Sequence, residues 1–274
     1  MPTLTRYGET ILPTLVLLHG FLGTKADWLP LMPKLSQHFH CVCLDLVGHG
    51  DNQPSLPAPE MEEGFSFCVQ DIIARLDRLN ISQFHLYGYS LGGRIALHLA
   101  KTHPQRLLSL LLESCHPGLK DPQEKAARTQ NDAHWAERLL KLSSMDFLSL
   151  WYQQTVFAQM NQSCRESTIT MRASMLDKHP KHILKEMYLA TSLARQASMW
   201  DVPAMLSCEC HFFAGSQDTK FHTLAQEWQL HSPILVHSIR GAGHNIHQST
   251  PAALIAAILA LLAPELPHHC HINI

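Results

Sequence analysis

Short apolar runs recur along the chain at residues 14–18, 41–46, 84–87, 107–112, 210–214 and 234–239, each of strand length. Between them lie stretches with apolar positions at helical spacing: 28–35, 67–79, 94–101, 224–229 and 251–262. The last opens on Pro251, whose missing N–H is harmless in a first helical turn. Apolar strands alternating with helices predict an α/β protein with a parallel sheet flanked by helices. From about residue 119 to 200 the rhythm changes: strand-like runs give way to polar amphipathic patterns carrying Arg128, Trp135, Trp151, Tyr152 and Arg172. An interruption between a fifth and a sixth strand predicts a helical cap above the strand ends. The expected division is a first core segment at 1–118, the cap at 119–200 and a second core segment at 201–274. Residues 53–60, with three prolines, read as a loop.

With 274 residues the chain can bury a sizeable core, and a single catalytic domain with an insertion is the default. A formal net charge of −2 offers no electrostatic footprint for nucleic acid or an anionic membrane, so neither is expected as a partner. No run approaches the roughly 20 apolar residues of a membrane span, and residues 1–10 lack the charged-then-apolar order of a secretory signal. A cytoplasmic location is the expectation. The eight cysteines agree with it: Cys41 and Cys43, like Cys208 and Cys210, form Cys-x-Cys pairs in apolar runs and read as small core hydrophobes of a reducing compartment. Most of the twenty histidines lack ligand spacing, and His268, His269 and His271 around Cys270 belong to a terminal tail, so no metal site is expected.

The chemistry begins at Gly88-Tyr89-Ser90-Leu91-Gly92, set between an apolar run and a helical one. A strand entering a helix through Gly-x-Ser-x-Gly makes a tight turn that presents the serine hydroxyl at the carboxyl end of a sheet. Gly88 and Gly92 lack a Cβ and so permit the close strand–helix approach that such an elbow needs. A serine hydroxyl needs a base, and the base an orienting acid. Asp218 follows the run 210–214, and His244 follows the run 234–239. Ser, Asp, His is the chain order of the α/β-hydrolase fold, which makes Ser90, Asp218 and His244 the expected triad. His19-Gly20-Phe21-Leu22-Gly23, after the first apolar run, resembles the turn that supplies one oxyanion N–H in this fold. The Phe21 and Leu91 N–H groups are the expected donors. Asp45-Leu46-Val47-Gly48-His49-Gly50 resembles a scaffold turn of the same fold, and no catalytic role is assigned to His49.

The fold does not set the reaction. Arg94 lies one helical turn after Ser90, while Arg128 and Arg172 belong to the cap. By residue type each reads equally as a solvated or ion-paired arginine.

Four longer segments go further: Gly88-Tyr89-Ser90-Leu91-Gly92-Gly93-Arg94, Glu113-Ser114-Cys115-His116-Pro117-Gly118-Leu119, Trp151-Tyr152-Gln153-Gln154 with Val156-Phe157-Ala158, and Gly241-Ala242-Gly243-His244-Asn245. Together they resemble the 2-succinyl-6-hydroxy-2,4-cyclohexadiene-1-carboxylate synthases, α/β-hydrolase-fold lyases of menaquinone biosynthesis, over nearly the whole chain, cap included. The resemblance implies elimination of pyruvate from 2-succinyl-5-enolpyruvyl-6-hydroxy-3-cyclohexene-1-carboxylate. That small-molecule polycarboxylate would give Arg94, Arg128 and Arg172 a shared purpose, since guanidinium groups bind carboxylates bidentately. Tyr89, Trp151 and Tyr152 would line the pocket. In the implied mechanism His244, oriented by Asp218, takes the proton of Ser90, and Ser90 acts as base. No cofactor is expected, because the chain has no phosphate-binding glycine loop. The competing readings are a carboxylesterase or C–C bond hydrolase acting through an acyl-serine, and a noncatalytic hydrolase-fold receptor.

Overall fold

The computed structural model describes residues 3–54 and 63–263. The proline-rich loop expected at 53–60 therefore lies largely outside the described residues, as does the His268–His271 tail. Seven strands form one sheet in the order β1-β3-β2-β4-β5-β6-β7: β1 Leu4–Tyr7, β2 Thr14–Leu18, β3 His40–Leu44, β4 Phe84–Tyr89, β5 Leu107–Glu113, β6 Cys210–Gly215 and β7 Ile234–Ile239. All neighbours run parallel except β1, which pairs antiparallel with β3 at one edge.

Period-two alternation sends successive side chains to opposite faces, and each face has its own core. Val16, Leu18, Val42 and Leu44 join one cluster with α2 (Phe65–Arg78), α3 (Leu91–Thr102) and, further along the sheet, Trp228. Leu15, Leu17, Cys41 and Cys43 join the other, with Met32 and Leu35 of the short helix α1 (Met32–Leu35). The Cys-x-Cys pair at 41 and 43 thus points to one face as small buried apolar residues, and the seven described cysteines are all free thiols.

Between β5 and β6 the chain leaves the sheet for four helices: α4 Pro122–Lys141, α5 Ser144–Trp151, α6 Gln162–Leu176 and α7 Lys181–Ala190. They share a third core built on Trp135, Leu139, Phe147, Tyr152, Ile169 and Tyr188. Phe21 and Leu22, from the turn after β2, are packed into this same cluster. Downstream, α8 (Thr219–Gln229) follows β6, while α9 (Ile246–Ser249) and α10 (Pro251–Leu262) follow β7. No helix among the described residues is long and apolar enough to cross a membrane.

Candidate active site

β4 ends at Tyr89 and α3 starts at Leu91, leaving Ser90 alone at the bend. Its φ of 50° and ψ of −109° lie in a region that residues with a side chain seldom occupy, a conformation costing on the order of 1–3 kcal/mol. Two backbone hydrogen bonds hold it there. Ser90 N donates to Glu113 O at 2.9 Å, and Ser90 O accepts from Arg94 N at 3.0 Å. The turn closes because no Cβ intervenes: one added at Gly92 would lie 2.2 Å from Leu18 O, and one at Gly88 would lie 2.6 Å from Gly92 O.

Asp218 sits just past β6 as the N-cap of α8 and divides its two oxygens. Oδ1 accepts from Phe221 N at 3.3 Å, and Oδ2 meets His244 Nδ1 at 2.9 Å. An ionised carboxylate only accepts, so His244 Nδ1 is the donor in this bond and Nε2 is the ring nitrogen left to face other partners. Both residues are 7% exposed, which shields their bond from water. The His244 ring is held by Phe221, Tyr89 and Phe157 at centroid distances of 4.9, 5.4 and 5.9 Å.

Ser90, Asp218 and His244 line one cavity of about 600 Å³, whose wall also includes Arg128, Trp151, Tyr188 and Lys220. The three residues stand after the carboxyl ends of β4, β6 and β7, where open α/β sheets carry their ligand sites. Residues 13–248 match the family model of the alpha/beta hydrolase fold. A 2-succinyl-6-hydroxy-2,4-cyclohexadiene-1-carboxylate synthase from Enterobacter sp. (strain 638) is 37% identical, the alignment covering 96% of this chain and 98% of that protein. One from Yersinia pseudotuberculosis is 38% identical over 92% of this chain and 88% of its own length. The chain belongs to this synthase family, within the α/β-hydrolase fold.

Solved structures agree on the fold. MenH from S. aureus superposes with a TM-score of 0.86 at 24% identity, covering 96% of this chain and 98% of its own. A thermophilic esterase from Thermogutta terrifontis reaches a TM-score of 0.75 at 21% identity, covering 95% and 92%. The sheet alone therefore does not separate synthase from esterase, and the side chains around Ser90 carry the distinction.

In this synthase-family chain the three expected arginines have three different settings. Arg128 lines the Ser90 cavity with its side chain 31% exposed, and its Nε donates to Asp132 Oδ1 at 2.8 Å. Asp132 is pinned in turn by Tyr188 Oη at 2.7 Å and Ser192 Oγ at 2.6 Å, so α4, α7 and the turn after α7 together aim Arg128. Arg94 lies behind the cavity wall. It donates from Nη1 to Thr191 O at 2.7 Å, rests 5.5 Å over the Phe65 ring, and has its pKa lowered to about 10 by burial and by Arg128. Arg172 is tied up in a buried ion pair: Nη2 to Asp27 Oδ2 is 2.9 Å, with the two side chains 5% and 4% exposed. Its Nη1 also donates to Phe21 O at 3.4 Å, and it lines a separate pocket of about 30 Å³.

The expected aromatics divide likewise. Trp151 lines the cavity, whereas Tyr152 is buried against Phe157 at 4.8 Å. Tyr89 is buried with its ring 4.6 Å from that of His247, and its hydroxyl donates to Asn245 Oδ1. Burial and the neighbouring Glu113 push the Tyr89 pKa well above the usual phenol value, so the residue is a hydrogen-bond donor throughout the physiological range. Leu91 is the first residue of α3, where helix geometry leaves the N–H without a carbonyl one turn back. Phe21 leads the turn closed by Gly23 N to Gly20 O at 3.0 Å, and its ring packs 4.6 Å from Tyr188 and 5.0 Å from Trp151.

Two features escaped the sequence reading. Lys220 lines the cavity two positions after Asp218, a signal present in the sequence as a cation on the turn that carries the expected triad acid. Glu113, at the end of β5, is fully buried and accepts from Tyr87 Oη at 2.6 Å, Ile246 N at 2.7 Å and His247 Nδ1 at 2.8 Å. Its position in an apolar strand was the only hint that it had buried partners.

Proposed function

We propose that this chain eliminates pyruvate from 2-succinyl-5-enolpyruvyl-6-hydroxy-3-cyclohexene-1-carboxylate, giving 2-succinyl-6-hydroxy-2,4-cyclohexadiene-1-carboxylate. One observation supports this reading most directly: the Asp218–His244 pair and Ser90 open onto the same cavity as Arg128, so a proton-transfer apparatus faces a carboxylate-binding cation. The family membership supplies the substrate class.

His244 Nε2 takes the proton from Ser90 Oγ, and the resulting imidazolium is stabilised by Asp218. The Ser90 alkoxide then removes the ring proton α to the succinyl ketone, regenerating its own hydroxyl. The electron pair moves through the ring double bond, creating the conjugated diene as the bond from ring carbon to enolpyruvyl oxygen breaks. The proton held by His244 passes to the departing enolate, which leaves as enolpyruvate and becomes pyruvate. Negative charge on the succinyl ketone oxygen is met by the N–H groups of Phe21 and Leu91. A donor of this kind is worth on the order of 10²–10³ in rate in comparable sites. No acyl-enzyme and no cofactor enter the scheme.

In this reading Arg128 and Trp151 touch the substrate, while Arg94, Tyr89, Tyr152 and Arg172 shape and charge the site from behind its wall. The helices between β5 and β6 act as the cap, with the division at 1–118, 119–200 and 201–274, and the protein works in the cytoplasm. The test is incubation with the enolpyruvyl substrate, following pyruvate through a lactate dehydrogenase-coupled assay and Ser90 by mass spectrometry. Pyruvate release with an unmodified Ser90 is expected. A kinetically competent acyl-Ser90 species would instead establish an esterase or C–C bond hydrolase.

A further inference from the structure

The walls of the Ser90 cavity carry two cations on different elements, Arg128 from α4 and Lys220 from the first turn of α8. Arg128 is partly neutralised by Asp132 at 2.8 Å. Lys220 has no ion-pair partner among the described residues, its ammonium lying 5.7 Å from the Phe221 ring centroid. The acids that act on it are already engaged or at a distance: Asp218 is bonded to His244, and Glu124 lies in the first turn of α4. An exposed lysine on a cavity wall with no ion-pair partner leaves its ammonium available to an anion in that cavity.

We propose that Lys220 is a further substrate-binding residue, pairing with a carboxylate of the polycarboxylate from a different element of the cavity wall than Arg128. The inference rests on the elimination reading. Its chemistry fits the ligand: the substrate bears carboxylates on the ring, the succinyl tail and the enolpyruvyl group, whereas Arg172 already has its charge matched by Asp27. With Arg172 so engaged, Lys220 supplies cavity charge that the arginine pattern alone does not. Arg128 and Lys220 repel each other within the cavity lining, and an anion bound to both turns that repulsion into two attractions.

The charged and titratable groups facing Lys220 are Arg128 and Glu124 from α4, Asp218 from its own turn and His116 from the loop after β5. Burial, together with Arg128, lowers the Lys220 pKa. The protonated form binds, so substrate affinity declines on the alkaline side at a lower pH than an ordinary lysine would impose.

The experiment compares the parent enzyme with Lys220→Met and Lys220→Arg. It measures KM and kcat for pyruvate release from the enolpyruvyl substrate across alkaline pH, melting temperature, and the rate at which a neutral fluorophosphonate labels Ser90. Loss of one charge-assisted contact corresponds to roughly a 10- to 150-fold rise in KM for Lys220→Met, with a smaller change in kcat. Lys220→Arg should recover most of the affinity and move the alkaline limb upward, because guanidinium stays protonated. Labelling and melting should stay near parental values. A parent that releases pyruvate beside a Lys220→Met variant with unchanged KM overturns the assignment and leaves the elimination reading intact. Equal losses in KM and labelling make Lys220 structural and also overturn it. A parent that neither turns over nor calorimetrically binds the compound overturns both.

Discussion

Glu113 and His247 form a second buried carboxylate–imidazole pair behind the Asp218–His244 pair, with Nδ1 to Oε1 at 2.8 Å and both side chains shut off from solvent. The same carboxylate takes the backbone N–H of Ile246, two residues after His244. Glu113 therefore ties the His244 loop to the end of β5, whose carbonyl at the same residue holds Ser90 N.

Glu113→Ala removes the acceptor from several buried donors at once. The expected loss is about 1–3 kcal/mol of stability for each buried donor left without its acceptor, read as a lower denaturant midpoint. Glu113→Gln keeps part of the network and should lose less. An unchanged midpoint for the alanine variant would mean that the network has no energetic weight.

Ser90→Ala, Asp218→Asn and His244→Ala should each lower pyruvate release by roughly 10³-fold or more, and double variants should lose little further because the groups act as a unit. Asp218→Asn presents a group that can no longer enforce the Nδ1–H tautomer of His244. Additive losses in the doubles would argue for independent roles.

Arg172 and Asp27 are joined across 145 positions of sequence, linking α6 to the turn that follows Phe21. Arg172→Leu strands a buried carboxylate, for which about 3–5 kcal/mol of destabilisation is expected. Pairing it with Asp27→Leu should recover much of that loss. The cycle is read by denaturant unfolding, and its coupling energy should exceed about 1 kcal/mol. A coupling near zero would show that the two charges are solvated separately. The double variant should stay slow in turnover, because Phe21 O has lost the Arg172 donor.

Burial lowers the His49 pKa to about 4, against an ordinary value of 6.5. Above pH 6.5 both folded and unfolded chains hold it neutral, and the residue adds no pH dependence. Between about 6.5 and 4 the unfolded chain takes up a proton that the folded chain refuses, so stability falls as pH falls, by up to about 3 kcal/mol from this residue. His98 and His116, lowered to about 3 and about 4, act in the same direction. Unfolding free energies measured across this window should slope downward toward acid, and His49→Gln should flatten the slope. A flat parental profile would contradict a neutral buried His49.

The parallel core was legible wherever apolar runs were long enough to be buried on both faces. Thr14–Leu18 falls where the hydrophobic pattern puts it, and so does Ile234–Ile239, although that edge strand is only partly buried. β1 was not foreseen: Leu4–Tyr7 alternates weakly and is a strand because β3 offers it an edge. The helix expected at 28–35 breaks into a 3₁₀ turn, Lys25–Trp28, and the short α1, because Pro30 and Pro33 interrupt its hydrogen bonds. The Asp218–His244 bond was readable because position after a strand fixes where a side chain emerges. The arginine settings were not, since sequence gives a charge but not its partner. Nothing local to Arg172 announces Asp27, and nothing local to Arg94 announces Thr191 O.

Phe21 and Leu22 stand in the turn next to Ser90, yet pack inside the cluster formed by the helices between β5 and β6. The helical insert is consequently not an interchangeable module. Grafting the corresponding helices from another hydrolase-fold protein would remove the bed on which the Phe21 peptide lies, and with it the backbone geometry proposed above to receive charge from the substrate. Swapping specificity in this scaffold requires transplanting the turn after β2 along with the helices that cover it.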